Sequence, residues 1–183
     1  MKKIALFFLL IAIVACSSES LSVKKATNLI ESHTEKYPYF ETTNFQLGEH
    51  TFNIRKDAAE LSQLKSLAAQ NLITLNTVKT TKKWLSKDSV SVVNIALTAE
   101  ASPYVVEQKK NRAEVKSYLF TIQDDSDVQL KLNNKTKATA TAKLIKTATP
   151  FATAQADSNP NAVFITKKFT LKYAKDTGWY VVK

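Results

Sequence analysis

A single cysteine, Cys16, stands in a chain of 183 residues, directly after an unbroken apolar run near the amino terminus. With no second thiol, the chain has no intramolecular disulfide to form and must hold its fold by burial and backbone pairing alone. The stretch from Cys16 to Lys183 has the length of one domain and is long enough to bury a core without covalent staples.

Met1-Lys2-Lys3 precedes the apolar run Ile4-to-Ala15, the pattern of a secretory signal peptide. The run is shorter than the ~20 apolar residues of a permanent membrane-spanning helix. The expected organisation is a signal peptide at 1–15, a tether at 16–21 and one soluble α+β domain at 22–183.

The junction Ile13-Val14-Ala15-Cys16 resembles the lipobox of bacterial lipoproteins: two aliphatic residues, a small one, then the cysteine. The resemblance implies a diacylglyceryl group on the Cys16 sulfur, cleavage between Ala15 and Cys16, and acylation of the freed amine with a chain such as palmitate. Each buried methylene contributes ~0.8 kcal/mol, so one chain anchors marginally and two or more hold stably. This covalent lipid is the only cofactor expected. Ser17 and Ser18 follow with no aspartate after the cysteine. By the sorting rule of Gram-negative lipoproteins, that implies an outer-membrane protein, periplasm-facing or surface-exposed. In a Gram-positive cell it implies the outer leaflet of the plasma membrane.

The chain has 26 Lys and Arg against 16 Asp and Glu, and the only arginines are Arg55 and Arg112. Arginine forks are the usual tool for bidentate phosphate or carboxylate recognition, whereas lysine-rich surfaces attract anionic polymers and head groups diffusely. Export from the cytoplasm argues against a nucleic-acid partner. Gly48 and Gly178 are the only glycines, which excludes glycine-rich phosphate-cradling loops.

Apolar spacing from Ser22 predicts a helix with Val23, Ala26, Leu29, Ile30, His33 and Tyr37 on one face, ended by Pro38. A short strand is expected near Phe45-Gln46-Leu47, turned by Gly48. Asp57 and Glu60 suggest a capping box before a second helix with Leu61, Leu64, Leu67, Ala68 and Leu72 as its stripe. Strands are expected at Ser89-to-Leu97, at Val115-to-Gln123 with Tyr118, Phe120 and Ile122 on one side, and at Val128-to-Leu132. Asn133-Asn134 suits a tight hairpin. Thr136-to-Lys146 alternates Thr or Lys with Ala, and a polar loop at Pro150-to-Asn161 follows. Val163, Ile165, Phe169, Leu171 and Tyr173 line a long strand, and Asp176-Thr177-Gly178 turns it into a strand at Trp179-to-Val182. The expected fold is α+β, with N-terminal helices packed on an antiparallel β-meander of about five to six strands.

The segment Leu64-Lys65-Ser66-Leu67-Ala68-Ala69-Gln70-Asn71-Leu72-Ile73, with the later Leu97-Thr98-Ala99-Glu100, resembles the recognition helix and wing of winged-helix domains. It implies a winged-helix-like part at 22–106 and a β-rich part at 107–183, with Asn71 in place of the usual glycine. On an exported protein such a scaffold would serve protein contacts.

Catalytic patterns are sparse. Ser62-Gln63-Leu64-Lys65 and Ser22-Val23-Lys24-Lys25 fit the S-x-x-K motif of penicillin-interacting serine enzymes, but about two such matches are expected by chance in so lysine- and serine-rich a chain, and no K-T-G follows. His33 and His50 form no ligand-spaced pair, so no metal site is expected. Asp124-Asp125-Ser126-Asp127 lacks the glycine and terminal glutamate of a calcium loop and reads as a turn. No catalytic residue is identified. An envelope hydrolase with an unrecognised site is the alternative to a non-enzymatic binding or assembly module.

Lys135, Lys137 and Lys143 share one face of the Thr136-to-Lys146 strand, and Lys168 and Lys172 one face of the later strand. If the two strands are neighbours, they present a lysine and threonine face toward an envelope protein or an anionic envelope polymer; solvation and edge protection by lysine is the simpler use of the same residues. For the anchor, Cys16→Ser is expected to abolish metabolic labelling with a radiolabelled fatty acid and to leave the chain unprocessed or released from the membrane fraction. A Cys16→Ser protein still acylated and normally processed would refute it.

Overall fold

The computed structural model describes residues 20–82, 89–153, 157 and 159–182. The signal segment, Ala15 and Cys16 lie outside the described residues. Ten strands and two α-helices are described, so the chain is α+β with β dominant. The strands are β1 (Tyr39–Gln46), β2 (Gly48–Asn53), β3 (Ile73–Lys82), β4 (Ser89–Leu97), β5 (Val105–Lys109), β6 (Arg112–Thr121), β7 (Val128–Asn134), β8 (Lys137–Ala148), β9 (Phe164–Ala174) and β10 (Gly178–Val181). The helices are α1 (Val23–Lys36) and α2 (Ala58–Ala69).

All pairings are antiparallel, and they form two sheets. The larger has seven strands in the order β1-β6-β8-β9-β10, with β5 added to β6 and β7 to β8; the smaller has the order β2-β4-β3. The strand count exceeds the five or six expected, because Tyr39–Asn53 and Ile73–Lys82 are extended where hydrophobic alternation is weak. Most of β3 is exposed on both faces, so backbone pairing with β4, not burial, defines it.

Ser22 caps α1 by accepting a hydrogen bond from the Lys25 amide at 3.2 Å. The helix buries Ala26, Thr27, Ile30 and Thr34, while Val23 and Tyr37 are exposed, so the buried stripe is rotated from the purely apolar one. The two threonines are admitted because their hydroxyls donate back to the Val23 and Glu31 carbonyls, each at 3.0 Å. Leu21 is already buried, which places it in the core and not in a tether.

Asp57 does occupy the N-cap position of α2, but its carboxylate accepts the Asn53 amide at 2.7 Å and makes no cap bond to the helix. The expected capping box does not form. The helix ends with Asn71 at φ 57°, a left-handed position where asparagine is one of the tolerated residues. Leu64-to-Ala69 thus closes α2, Asn71 turns the chain, and Ile73 opens β3, whereas α1 packs against β7 and β10 on the larger sheet.

Two cores result. Leu21, Ala26, Ile30, Phe120, Leu144, Phe169, Leu171 and Trp179 lie in one, beneath α1. Phe52, Leu64, Leu67, Val93, Ile95, Ala113, Val115 and Phe151 lie in the other, around α2 and the smaller sheet. β6 serves both. Its pairing with β1 sets Thr42 opposite Lys116 and Glu41 opposite Tyr118, leaving Ser117 as the extra residue of a β-bulge. The bulge shifts the inward positions from Ala113, Val115 and Ser117 to Phe120 and Ile122, which share the expected face with Tyr118; the opposite parity before the bulge is what the alternation does not reveal.

The β8–β9 connection locks this junction. The Thr149 amide donates to the Ser117 carbonyl at 2.9 Å, and its hydroxyl reaches the Lys116 carbonyl at 2.6 Å. Phe151, 1% exposed, then enters the second core against Phe45 and Tyr104, with ring centroids at 5.3 and 5.8 Å. Phe151→Ala is expected to destabilise the protein by ~3–5 kcal/mol, read from denaturant midpoints; a change below 1 kcal/mol, in the ordinary surface range, would show that Phe151 does not hold the junction together.

Candidate functional site

The two-residue strand period decides which side chains face water. On β8, Ala138, Ala140, Ala142 and Leu144 are fully buried, which turns Lys137, Thr139, Thr141 and Lys143 outward. On β9, Phe169 and Leu171 point inward, and Thr166, Lys168, Thr170 and Lys172 outward. The strands are direct neighbours, as the lysine face requires. Lys137 stands opposite Lys172, Thr139 opposite Thr170, Thr141 opposite Lys168, and Lys143 opposite Thr166.

β7 widens this face. Gln129 pairs with Thr141 and Lys131 with Thr139, so Lys131 joins the same surface. Lys135 lies in the β7–β8 turn beside it, not on β8. The turn itself falls on Lys135-Thr136, two residues later than Asn133-Asn134, because the Asn134 side-chain oxygen accepts the Thr136 amide at 2.9 Å and folds the chain there. On β10, Tyr180 stands beside Lys172.

The lysines are not equivalent. Lys143 is paired with Asp127 at 3.6 Å and lies 5.1 Å from the Phe164 ring centroid. Lys135, Lys137, Lys168 and Lys172 are exposed. Three adjoining depressions cover the surface. One of about 480 Å³ lies among Gln129, Lys131, Thr139, Thr141 and Lys168. Another of about 470 Å³ is lined in part by Lys137, Lys168, Thr170 and Lys172. The third, about 280 Å³, reaches Asp127, Lys143 and Phe164.

A second charged cluster escaped sequence reasoning. Lys146 follows Leu144 at an inward position, and only 6% of its side chain is exposed. Its Nζ meets Glu41 Oε1 at 3.2 Å, Asp157 Oδ1, and the Asn159 carbonyl at 3.3 Å, and stands 4.3 Å from the Tyr118 ring centroid. Burial pulls the Lys146 ammonium toward neutrality, but hydrogen bonds and charges from Asp157 and Glu41 outweigh it and hold its pKa above the ordinary lysine value. The bond from Lys146 holds Asp157 below the usual carboxylate range. Burial, then the Asp157 charge, raises Tyr118. The inward parity of position 146 was the signal available in the sequence; Glu41, Tyr118 and Asp157 are too far apart in the chain to be grouped by spacing.

Other singled-out residues have local partners. Ser62 and Lys65 are exposed on α2, and Ser22 is the α1 cap. His33 packs between Tyr37 and Phe169, with centroids at 5.1 and 6.0 Å. His50 Nε2 is 3.1 Å from the Leu47 carbonyl, at a cavity of about 170 Å³ floored by Phe45, Phe52, Leu64, Ile95 and Phe151. Asp124 accepts the Ser126 amide at 2.8 Å, which lowers its pKa and makes the acidic run a closed turn. Among the described residues, no three His, Cys, Asp or Glu side chains group as a metal site, and no helix is long and apolar enough to cross a membrane. Comparison with protein-family models, curated proteins and solved structures finds no match to this chain.

The Lys146 cluster ties the β8–β9 loop to β1, and its two charges set opposite pH limits. The lowered pKa of Asp157 contributes stability above the ordinary aspartate range that is lost as pH falls through its folded value. The raised pKa of Lys146 contributes stability below the ordinary lysine range that is lost as pH rises through its folded value. Lys146→Met leaves two carboxylates facing each other; it is expected to speed proteolytic cleavage within 150–161 at pH 7 and to lack the acid-side increase in cleavage expected of the parent. Lys143→Met, which removes a half-exposed ammonium 3.6 Å from Asp127, is expected to change stability by no more than ~1 kcal/mol. Equal loop cleavage in parent and Lys146→Met at every pH would show that the cluster does not restrain the loop.

Proposed function

We propose that this chain is a membrane-anchored lipoprotein of the bacterial envelope, held by lipid on Cys16, whose domain is a non-enzymatic docking module for another envelope component. The meander β7–β10 is its platform. The observation that carries the reading is the alignment of Lys131, Lys137, Lys168 and Lys172 on one outward sheet face, opposite the face that α1 covers. Cations repeated on one rigid surface attract an acidic protein or an anionic polymer without a deep cleft. Near-exclusive use of lysine fits contact that is additive and adjustable, not bidentate recognition at one point. From Cys16 to Ser20, five residues reach at most ~18 Å when extended, so the anchor would keep the domain close to its membrane.

The test is retention of the full-length protein, in neutral detergent, on immobilised anionic envelope polymer. Retention is expected at low ionic strength and a steep loss toward ~0.15 M salt, where the screening length is ~8 Å. Replacing Lys135, Lys137, Lys143, Lys168 and Lys172 by Gln is expected to weaken it at least about tenfold, since a lysine near an anionic surface contributes ~1 kcal/mol. Absent or salt-insensitive retention would remove the proposed docking face.

A further inference from the structure

We infer that the lysine and threonine face is a trough for an extended phosphodiester-linked polymer, lying along the strands with one phosphate per row of outward residues. The inference rests on the docking face proposed above and names the ligand class that the face takes.

The strand register defines the rows. The first holds Lys137 and Lys172, with Tyr180 beside them. The second holds Lys131, Thr139 and Thr170. The third holds Gln129, Thr141 and Lys168. The fourth holds Lys143 and Thr166. Successive rows lie two residues apart along the strands, so they repeat every ~7 Å. Every row has at least one ammonium, and the last three add a threonine hydroxyl.

The lateral placement forms a trough and not a flat patch. Thr139 and Thr141 on β8 are short and only partly exposed, which makes them a floor. Lys131 rises from β7 on one side and Lys168 from β9 on the other, staggered by one row. Neighbouring strands are ~4.8 Å apart, so the walls stand ~10 Å from each other, wide enough for a single polymer strand. The depression between them is the one of about 480 Å³. At one end Asp127 meets Lys143 and closes the run with a negative charge.

The pitch selects among polyanions. Inorganic polyphosphate places charges two bonds apart, several per row. A polyuronate places one carboxylate on each rigid sugar ring and lacks the tetrahedral anion that takes an ammonium and a hydroxyl at once. A phosphodiester chain with a three-carbon polyol spacer places charges six bonds apart when extended, close to the row repeat. A phosphate at either middle row then receives one lysine charge, from Lys131 or Lys168, and a threonine hydrogen bond, while the first row offers the two ammonium groups of Lys137 and Lys172.

The experiment compares poly(glycerol phosphate), inorganic polyphosphate and polygalacturonate of matched length for binding to the full-length protein in neutral detergent at fixed salt. Poly(glycerol phosphate) is expected to bind at least about tenfold more tightly than the other two. The isosteric double variant Thr139→Val/Thr141→Val retains every charge; it is expected to lose that preference by about tenfold, as for lost hydrogen bonds to charged groups. Unchanged circular dichroism and thermal midpoint identify a folded variant, and the single variants Thr139→Ser and Thr141→Ser are expected to keep the preference. Equal binding of the three polymers, or a folded Thr139→Val/Thr141→Val protein that keeps the preference, would overturn the trough while leaving a diffuse docking face. Binding of none would remove both.

Discussion

The sharing of β6 between two cores is the constraint on which the rest of the fold depends. One strand cannot follow the curvature of both cores while alternating strictly, because the twist that seats Val115 beside Phe151 has to change before Phe120 meets the α1 core. The extra residue at Ser117 provides that change, and it sits opposite Glu41 and Thr42 on the longest partner of β6. The cost is visible: Ser117 is fully buried, and its hydroxyl finds no hydrogen-bond partner among the described residues. Its carbonyl is better served, accepting both the amide and the hydroxyl of Thr149. The bulge and the β8–β9 loop are therefore one device, in which Thr149 fixes the bulge and Phe151 fills the space beside it.

From that device follows the position of the outward face. β8 pairs with β7 through its first half and with the end of β6 through its last residues, on the same edge. Its other edge is occupied by β9. A strand so enclosed is rigid, and its small inward residues Ala138, Ala140 and Ala142 leave the inner face free for α1 and Trp179 to fill. Rigidity passes to the opposite face through the same backbone. Thr139 and Thr141 sit one position away from buried alanines, and their spacing relative to Lys131 and Lys168 is set by hydrogen-bonded register, not by flexible loops.

Much of this was legible where burial imposes a strict period. Ser89-to-Leu97, the alternation of β8 and β9, and the turn at Asp176-Thr177-Gly178 all carry that period or a glycine with positive φ, here 72° at Gly178. β3 was not legible, because pairing with β4 holds an exposed strand that no hydrophobic pattern marks. Asp57 was half legible: its type suits a helix start, but the amide of Asn53, the last residue of β2, takes its carboxylate. Asn133-Asn134 was read as a turn, yet Asn134 holds the turn as a side-chain acceptor from just outside it. The outward lysines were legible from parity alone, whereas Lys131 required knowledge of which strand lies beside β8. Lys146 obeys the inward parity of Leu144, and its meaning became visible only with Glu41 and Asp157 beside it.

Lysines of opposite parity in one sheet thus have opposite physical fates. Lys146, turned inward, exchanges its hydration for two carboxylates and a carbonyl, and such a pair fixes geometry more than it adds net stability. Lys137 and Lys172, turned outward and directly opposed, repel each other across the strand pair and would weaken the sheet if left so. Solvent and salt reduce that repulsion, but only a bound anion turns it into attraction. The platform tolerates the strain because its stability comes from the other face, where Leu144 and Leu171 are fully buried. A sheet that secures one face by apolar packing is free to load the other with like charge, and like charge held at fixed spacing favours a partner whose own charges recur at that spacing.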